Sequence, residues 1–140
     1  MFYKVCGDTI VIRLEKGEDV VRSVEAICKK ENVTLGYVTG IGAVNHVAMG
    51  LFATEEKKYY TKTYEGDFEI SALVGNITTQ NGGVYSHLHI TITNSVKETV
   101  YGGHLNEAIV SATAEIFIRI LEGKVERVFD EKIGLNVMDL

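Results

Sequence analysis

The chain has 140 residues, of which 46% are hydrophobic and 24% are charged. This size and balance are typical of one globular domain with its own core, and they exclude disordered and collagen-like proteins. The formal net charge of −5 has the wrong sign for a protein whose main partner is a phosphate backbone, and no polybasic stretch offsets it.

Two further compositional features concern location. No apolar run approaches the ~20 residues that a membrane-spanning helix needs, and the first residues lack the apolar region of a secretory signal. We therefore expect a cytoplasmic protein without a membrane partner. Cys6 and Cys28 have no C-x-x-C spacing, which predicts reduced, mostly buried thiols.

The first third of the chain predicts a strand followed by one main helix. Residues 8–14 alternate apolar and polar side chains with a period near two, as a strand does. Apolar residues then recur at spacings of three and four at Val20, Val24 and Ile27. This pattern predicts an amphipathic helix that ends near Lys29 and Lys30, where positive charge suits the helix dipole.

The remainder of the chain predicts strands separated by glycine-containing segments. Residues 108–121 are rich in alanine, which favours helix, but their apolar side chains alternate and therefore favour a long strand. The predicted fold is a single α+β domain over 1–140, with a largely antiparallel sheet of about seven strands and one main helix. The other predicted strands cover residues 35–38, 44–52, 68–74 and 84–93.

Two glycines in the motif Thr39-Gly40-Ile41-Gly42-Ala43 look like a fragment of a phosphate-binding loop. The motif lacks a third glycine and a following lysine, so it is a weak phosphate site. Close backbone packing or a β-bulge accounts better for Gly40 and Gly42.

Three of the four histidines lie in two short motifs, Ser86-His87-Leu88-His89 and Tyr101-Gly102-Gly103-His104-Leu105. Residues i and i+2 of a strand face the same side about 6.5 to 7 Å apart, so His87 and His89 are able to converge on one ion. A third imidazole from the Gly-Gly-His turn would complete a three-histidine set with an open coordination position, as in catalytic or exchangeable zinc sites. Imidazole ligands suit zinc, iron, nickel or copper, and the identity of the metal stays open.

Other interpretations of these residues remain open. The H-x-H pair is also compatible with two polar residues on an exposed sheet face, and the paired glycines with a simple hairpin turn. Glu69 and Glu107 are candidate catalytic residues that could accept an imidazole N–H or act as a general base on metal-bound water. Both are equally compatible with solvated carboxylates. His46 has no partner nearby in sequence, which predicts a surface histidine or a satisfied polar one.

Six motifs follow one another in order along the chain: RLEKGEDV at 13–20, TGIGAV at 39–44, YEGDFEI at 64–70, GNI at 75–77, HLH at 87–89 and GGHL at 102–105. Their order closely resembles the PPC (plants and prokaryotes conserved) domain, which also occurs in plant AT-hook nuclear proteins. The resemblance covers residues from about 8 to 120. It implies a domain built around an antiparallel sheet, assembly as a homotrimer and a DNA-binding role.

The same resemblance implies a metal site in prokaryotic members, formed by the histidines of the HLH and GGHL motifs. This assignment carries over to His87, His89 and His104. The chain departs from the plant proteins because it contains no Arg-Gly-Arg-Pro core of an AT-hook, and indeed no proline. The element that would contact the minor groove is therefore missing.

Three functions remain open on sequence grounds. The first is a DNA-associated or regulatory trimer, the second a small metalloenzyme in which Glu69 or Glu107 moves protons, and the third a metal- or small-molecule-binding module without catalysis. A cupin barrel also places H-x-H on a strand, but Asn81 and Thr93 occupy the positions of its usual glycine and glutamate. The segment 44–52 is apolar on both faces, which independently predicts that subunits associate.

Overall fold

The computed structural model describes residues 1–140 as eight β-strands and one α-helix. The helix α1 spans Val20–Lys30 and lies between β2 and β3 in the chain. The strands are β1 (Phe2–Cys6), β2 (Thr9–Glu15), β3 (Gly36–Ala53), β4 (Lys58–Gln80), β5 (Gly83–Asn94), β6 (Thr99–Ile120), β7 (Arg127–Asp130) and β8 (Leu135–Met138). The chain is one domain of antiparallel sheet with a single helix, as predicted, although it has eight strands where about seven were expected.

Six strands form one sheet in the order β1-β2-β6-β3-β4-β5, and β5 also pairs with β6. The strands β3 to β6 therefore form a closed ring. The ring closes because β6 is 22 residues long and changes its partner along its length. Residues 99–104 of β6 pair with β5, and residues 113–119 pair with β2. Closure satisfies backbone groups that an open sheet edge would expose.

The helix covers the core from one side of this sheet. Asp19 caps its first turn by accepting a hydrogen bond from the Arg22 backbone N–H, and its other carboxylate oxygen accepts one from the Ala108 backbone N–H of β6. Val24 and Ile27 belong to the buried apolar face of the helix, which packs into a core of isoleucine, valine and leucine side chains from the sheet. The predicted helix is confirmed, including its end at Lys30.

The predicted turn at Gly102 and Gly103 is wrong. Both residues lie inside β6, where they pair with Thr91 and Ile90 of β5. A Cβ atom on Gly103 would lie 2.8 Å from the Gly50 backbone oxygen of β3. The glycines are therefore explained by close approach of three strands rather than by a reversal of the chain. The predicted strand 108–121 forms the later part of this same strand.

The structure also bears on the bulge predicted at Gly40 and Gly42 and on the two cysteines. The register of β3 shifts between Gly40 and Gly42, which confirms the predicted bulge, and a Cβ atom on Gly42 would lie 2.6 Å from the Ala114 Cα atom. Both cysteines are free, as predicted. Cys28 is buried, but Cys6 is exposed because it lies at the end of β1, which extends the sheet beyond the core.

The last two strands form a separate hairpin that lies against β4. An isolated bridge between Thr79 and Glu126 and a hydrogen bond from the Lys57 Nζ to the Glu131 backbone oxygen attach this hairpin to the domain. Only Arg127 of this hairpin is buried. The single helix of the protein, at 11 residues, falls short of the length needed to cross a membrane.

Candidate metal centre

Three imidazoles converge on the outer side of the sheet. His87 and His89 lie on the same face of β5, because the intervening Leu88 points into the core. His104 of β6 is the direct register partner of His89. The ring centroids of the three imidazoles lie 5.0 to 5.5 Å apart. One ring nitrogen of each histidine lies within 4.8 Å of those of the other two, so the structure brings together the three residues singled out from the sequence.

The spacing of the ring nitrogens fits a small cation. The Nε2 atoms of His87 and His89 are 3.3 Å apart. An ion with tetrahedral ligands at about 2.0 to 2.1 Å holds neighbouring nitrogens roughly 3.3 to 3.4 Å apart. The two histidines of β5 therefore already have the separation of two ligands, and His104 faces the same point from β6.

Glycines on the neighbouring strands allow this arrangement. Gly75 of β4 lies beside His87, where a Cβ atom would approach the His87 backbone oxygen to 2.1 Å. On the other side, Gly50 of β3 is the register partner of His104. Because Gly75 has no side chain, β4 packs closely against β5, and because Gly50 has none, Tyr59 and Tyr60 of β4 approach β3 closely.

Burial keeps two of these imidazoles neutral. Burial lowers the pKa of His87 to about 4, and the nearby His104, Arg127 and His89 add to this effect. The pKa of His104 is also lowered, first by burial and then by His89. A metal ion binds the neutral form of imidazole, so near neutral pH neither of these two side chains would have to lose a proton to bind one.

The histidines face a cavity of about 660 Å³. The Tyr59 ring packs edge-on against His104, with ring centroids 5.8 Å apart. Arg127 of the C-terminal hairpin also lines the cavity, and its Nη2 atom lies 3.5 Å from His87 Nδ1. The other lining side chains are Leu51, Phe52, Tyr85, Asn106, Leu135 and Asn136. An ion held by the three imidazoles would therefore meet a space large enough for a small organic molecule.

Neither candidate carboxylate lies beside the imidazoles. Glu69 is exposed on β4 and pairs with Thr93, four residues beyond His89 on β5, which places it roughly 13 Å along the sheet. Glu107 contacts His46 Nε2 at 3.2 Å and belongs to a different surface cluster. Hydrogen-bond partners of the three imidazoles include neither residue.

Sequence reasoning missed Arg127 as a residue of this site. It lies 23 residues beyond His104 in a hairpin that the periodicity analysis did not identify. The segment around it carries no motif, and only the packing of β7 against β4 brings its guanidinium to the cavity.

His46 is a satisfied polar histidine, as predicted. Its Nδ1 atom lies 2.6 Å from Glu65 of β4, and its Nε2 atom lies 3.2 Å from Glu107 of β6. The hydrogen bond to Glu65 is the main cause of a raised pKa for His46, and the charge of Glu107 adds to it. These partners are remote in sequence, which is why the local pattern showed none.

The pKa of His46 predicts a pH-dependent contribution to stability. Because the pKa is raised in the folded state, the ion pair stabilises the protein below pH about 6.5 and is lost as the pH rises through the folded pKa. We expect His46→Gln to lower the free energy of unfolding at pH 5.5 by less than about 1 kcal/mol, because the groups are partly exposed. Urea denaturation at pH 5.5 and 8.5 measures the difference, and an equal loss at both pH values would contradict this assignment.

The fold and the site together define a closed antiparallel β domain that presents three convergent imidazoles in a cavity. A model of the Plants and Prokaryotes Conserved (PCC) domain matches residues 1–122. The chain belongs to this family, which confirms the resemblance to the PPC domain seen in the sequence motifs.

Solved structures agree with this assignment. A candidate DNA-binding protein from Bacteroides thetaiotaomicron is 32% identical, with 99% of this chain and 96% of that chain covered and a TM-score of 0.94. A metal-containing protein from Archaeoglobus fulgidus is 31% identical, with 99% and 97% covered and a TM-score of 0.90. A PPC protein from Pyrococcus horikoshii is 31% identical, with 99% and 95% covered and a TM-score of 0.86. No curated protein matches the chain.

Proposed function

We propose that this PCC-family protein binds one divalent transition metal ion per chain through His87, His89 and His104, with zinc as the expected ion. The observation that carries the proposal is the convergence of one nitrogen from each imidazole within 4.8 Å. The similar protein from Archaeoglobus fulgidus is described as metal-containing, which supports it. Three protein ligands leave a coordination position for a small molecule from the cavity, as in exchangeable zinc sites.

This arrangement favours a module that binds a metal and a small molecule over a hydrolytic metalloenzyme. Hydrolysis through metal-bound water usually needs a general base within hydrogen-bond reach of that water. Of the two candidates, Glu107 contacts His46, and Glu69 lies exposed roughly 13 Å along the sheet from His89. The enzyme hypothesis would therefore require a base supplied by the substrate or by another subunit.

Elemental analysis tests the metal proposal directly. Protein purified without an affinity tag, incubated with zinc at neutral pH and freed of excess ion should retain about one ion per chain. Retention of less than a tenth of an ion per chain would overturn the proposal. The same analysis before incubation identifies the metal acquired in the cell.

DNA association is the second candidate function. It rests on two similar proteins, from Bacteroides thetaiotaomicron and Ralstonia eutropha, that are described as candidate DNA-binding proteins. The formal charge of −5 opposes it. We expect duplex DNA to bind with a dissociation constant larger than about 1 μM at roughly 150 mM salt. Fluorescence anisotropy across a salt series measures this, and sub-micromolar binding at that salt concentration would show that a local basic surface outweighs the net charge.

We further propose that the protein is a homotrimer, a number that comes from the family resemblance. An exposed apolar patch on the outer face of the sheet supports association. Val74 and Phe117, which are 50% and 45% exposed, flank Thr39 on the two neighbouring strands. Tyr37 and Ile41 continue the patch along β3. Such a contiguous apolar surface is typical of a subunit interface.

Light scattering coupled to chromatography should give a mass about three times 15.5 kDa. Phe117→Glu should reduce the mass toward that of one chain, because it places a charge in the apolar patch. Val96→Glu is the matched control, since Val96 is 92% exposed on the loop between β5 and β6 and not on the strands that carry the patch. A wild-type mass near 15.5 kDa at micromolar concentration would refute the trimer.

A further inference from the structure

Arg127 is the only charged residue in the buried part of the protein. Arg127 as a whole is only 6% exposed. Its three short hydrogen bonds go to neutral acceptors: Nε donates to Thr78 Oγ1 at 2.8 Å, Nη1 to the Asn136 backbone oxygen at 2.9 Å, and Nη2 to Asn76 Oδ1 at 3.0 Å. The guanidinium also lies over the Tyr85 ring, 4.7 Å from its centroid. These contacts fix its orientation but leave its charge without a counter-ion.

The acids of the same hairpin do not neutralise this charge. Glu126 accepts hydrogen bonds from Thr79 and from the Gly82 backbone N–H, and it pairs with Lys124. Asp130 accepts hydrogen bonds from backbone N–H groups of its own turn. Arginine does not lose its proton in proteins, and a buried charge without an ionic partner is unfavourable. An anion from solution would supply the missing partner.

The position of Arg127 indicates where that anion would bind. Its guanidinium lines the cavity that the three imidazoles face, with Nη2 at 3.5 Å from His87 Nδ1. Of the five N–H donors of a guanidinium, the three short hydrogen bonds use three and the 3.5 Å contact with His87 occupies a fourth, so one Nη1 N–H remains for an anion in the cavity. The same cavity is also lined by Phe52, Tyr59 and Leu135, whose side chains suit a hydrocarbon group rather than a second charge.

We propose that this cavity binds a small organic carboxylate. Arg127 holds the carboxylate group within reach of the three histidines, and the apolar part of the molecule packs against Phe52 and Tyr59. The role of Arg127 rests on the contacts of the C-terminal hairpin, and any contribution of a metal ion to carboxylate binding rests on the proposed metal function. A carboxylate fits better than phosphate, because one guanidinium balances a single negative charge and the apolar side chains of the cavity suit a hydrocarbon group. Arg127 lies outside residues 1–122, which the family model matches, so the C-terminal hairpin adds the charged group to a cavity whose histidines lie within the matched region.

Isothermal titration calorimetry tests this with benzoate, its neutral analogue benzamide and inorganic phosphate. Zinc-loaded wild-type protein should bind benzoate with a dissociation constant below about 1 mM and bind benzamide and phosphate at least about tenfold more weakly. Arg127→Lys keeps the charge but loses the planar guanidinium that Thr78, Asn76 and Asn136 hold in place, and it should weaken benzoate binding about tenfold. Arg119→Lys is the matched control, since Arg119 is an exposed arginine paired with Asp8 outside the cavity, and it should bind as wild type.

A second variant covers the case in which Arg127→Lys unfolds the hairpin. Leu135 is 39% exposed at the cavity wall, so Leu135→Glu should fold while placing its own carboxylate near Arg127 and excluding benzoate. Failure of benzoate to bind, equal binding of benzamide, tighter binding of phosphate, or wild-type affinity in folded Arg127→Lys or Leu135→Glu would each overturn the carboxylate proposal.

Zinc content, measured on the same samples, separates the two proposals. Arg127-dependent benzoate binding by protein that retains no zinc would support the carboxylate site while rejecting the metal function. Zinc retention without benzoate binding would support the metal function and overturn the carboxylate site.

Discussion

Replacement of His89 by alanine is expected to lower bound metal from about one ion per chain to well below half an ion. The loss would be large because two imidazoles rarely hold a first-row ion against water, whereas three form an open tetrahedral site. His89 is exposed, so its removal should disturb the core little. Elemental analysis of untagged protein, with thermal unfolding recorded on the same samples, measures both effects.

His46→Ala is the control for this experiment. His46 contacts Glu65 and Glu107 and none of the three clustered imidazoles, so its replacement should leave the metal content unchanged. Full metal stoichiometry in His89→Ala would show that His89 is not a ligand. Loss of metal in His46→Ala would instead place the metal at the cluster of His46, Glu65 and Glu107.

Replacement of Gly75 by alanine is expected to destabilise the fold by about 3 kcal/mol and to reduce metal retention. A Cβ atom at this position would lie 2.1 Å from the His87 backbone oxygen and 2.8 Å from the Leu88 Cα atom. Backbone atoms cannot rotate away as a flexible side chain could, so β4 and β5 would have to separate. That separation would move His87 relative to His104, and urea denaturation together with metal analysis would detect both consequences.

Gly83→Ala is the matched control, because Gly83 begins β5, the strand that pairs with the β4 strand of Gly75. A Cβ atom there would find its nearest neighbour, the Gln80 backbone oxygen, at 3.5 Å, an ordinary contact. Its substitution should change stability by no more than about 0.5 kcal/mol. Comparable unfolding midpoints for Gly75→Ala and wild type at the same protein concentration would contradict the close approach of the two strands.

Two of the three clustered histidines followed from local sequence alone. The alternation of residues 84–93 indicated a strand, and a strand necessarily places His87 and His89 on one face. The third histidine, His104, was identified by its motif, but the turn predicted before it is wrong. Gly102 and Gly103 suggested a turn, whereas they are paired strand residues whose small size lets β3, β5 and β6 meet.

The carboxylate assignments show the limit of such reasoning. Glu107 follows His104 by three residues, and its proximity in sequence suggested a shared role. In the structure its side chain pairs with His46 of the neighbouring strand β3, a partner that no local pattern indicates. Electrostatic partners across a sheet are set by register, and register depends on contacts between residues far apart in the chain.

The sequence by itself determined the elements whose periodicity repeats within a few residues: the helix α1, most of the strands and the shared face of His87 and His89. Only the tertiary structure decided that one long strand closes the ring, that His104 lies opposite His89, and that Arg127 is buried beside them. The physical reason is the range of the interactions. Side-chain alternation reports burial of one strand face, whereas strand closure and the docking of the C-terminal hairpin depend on packing between distant segments.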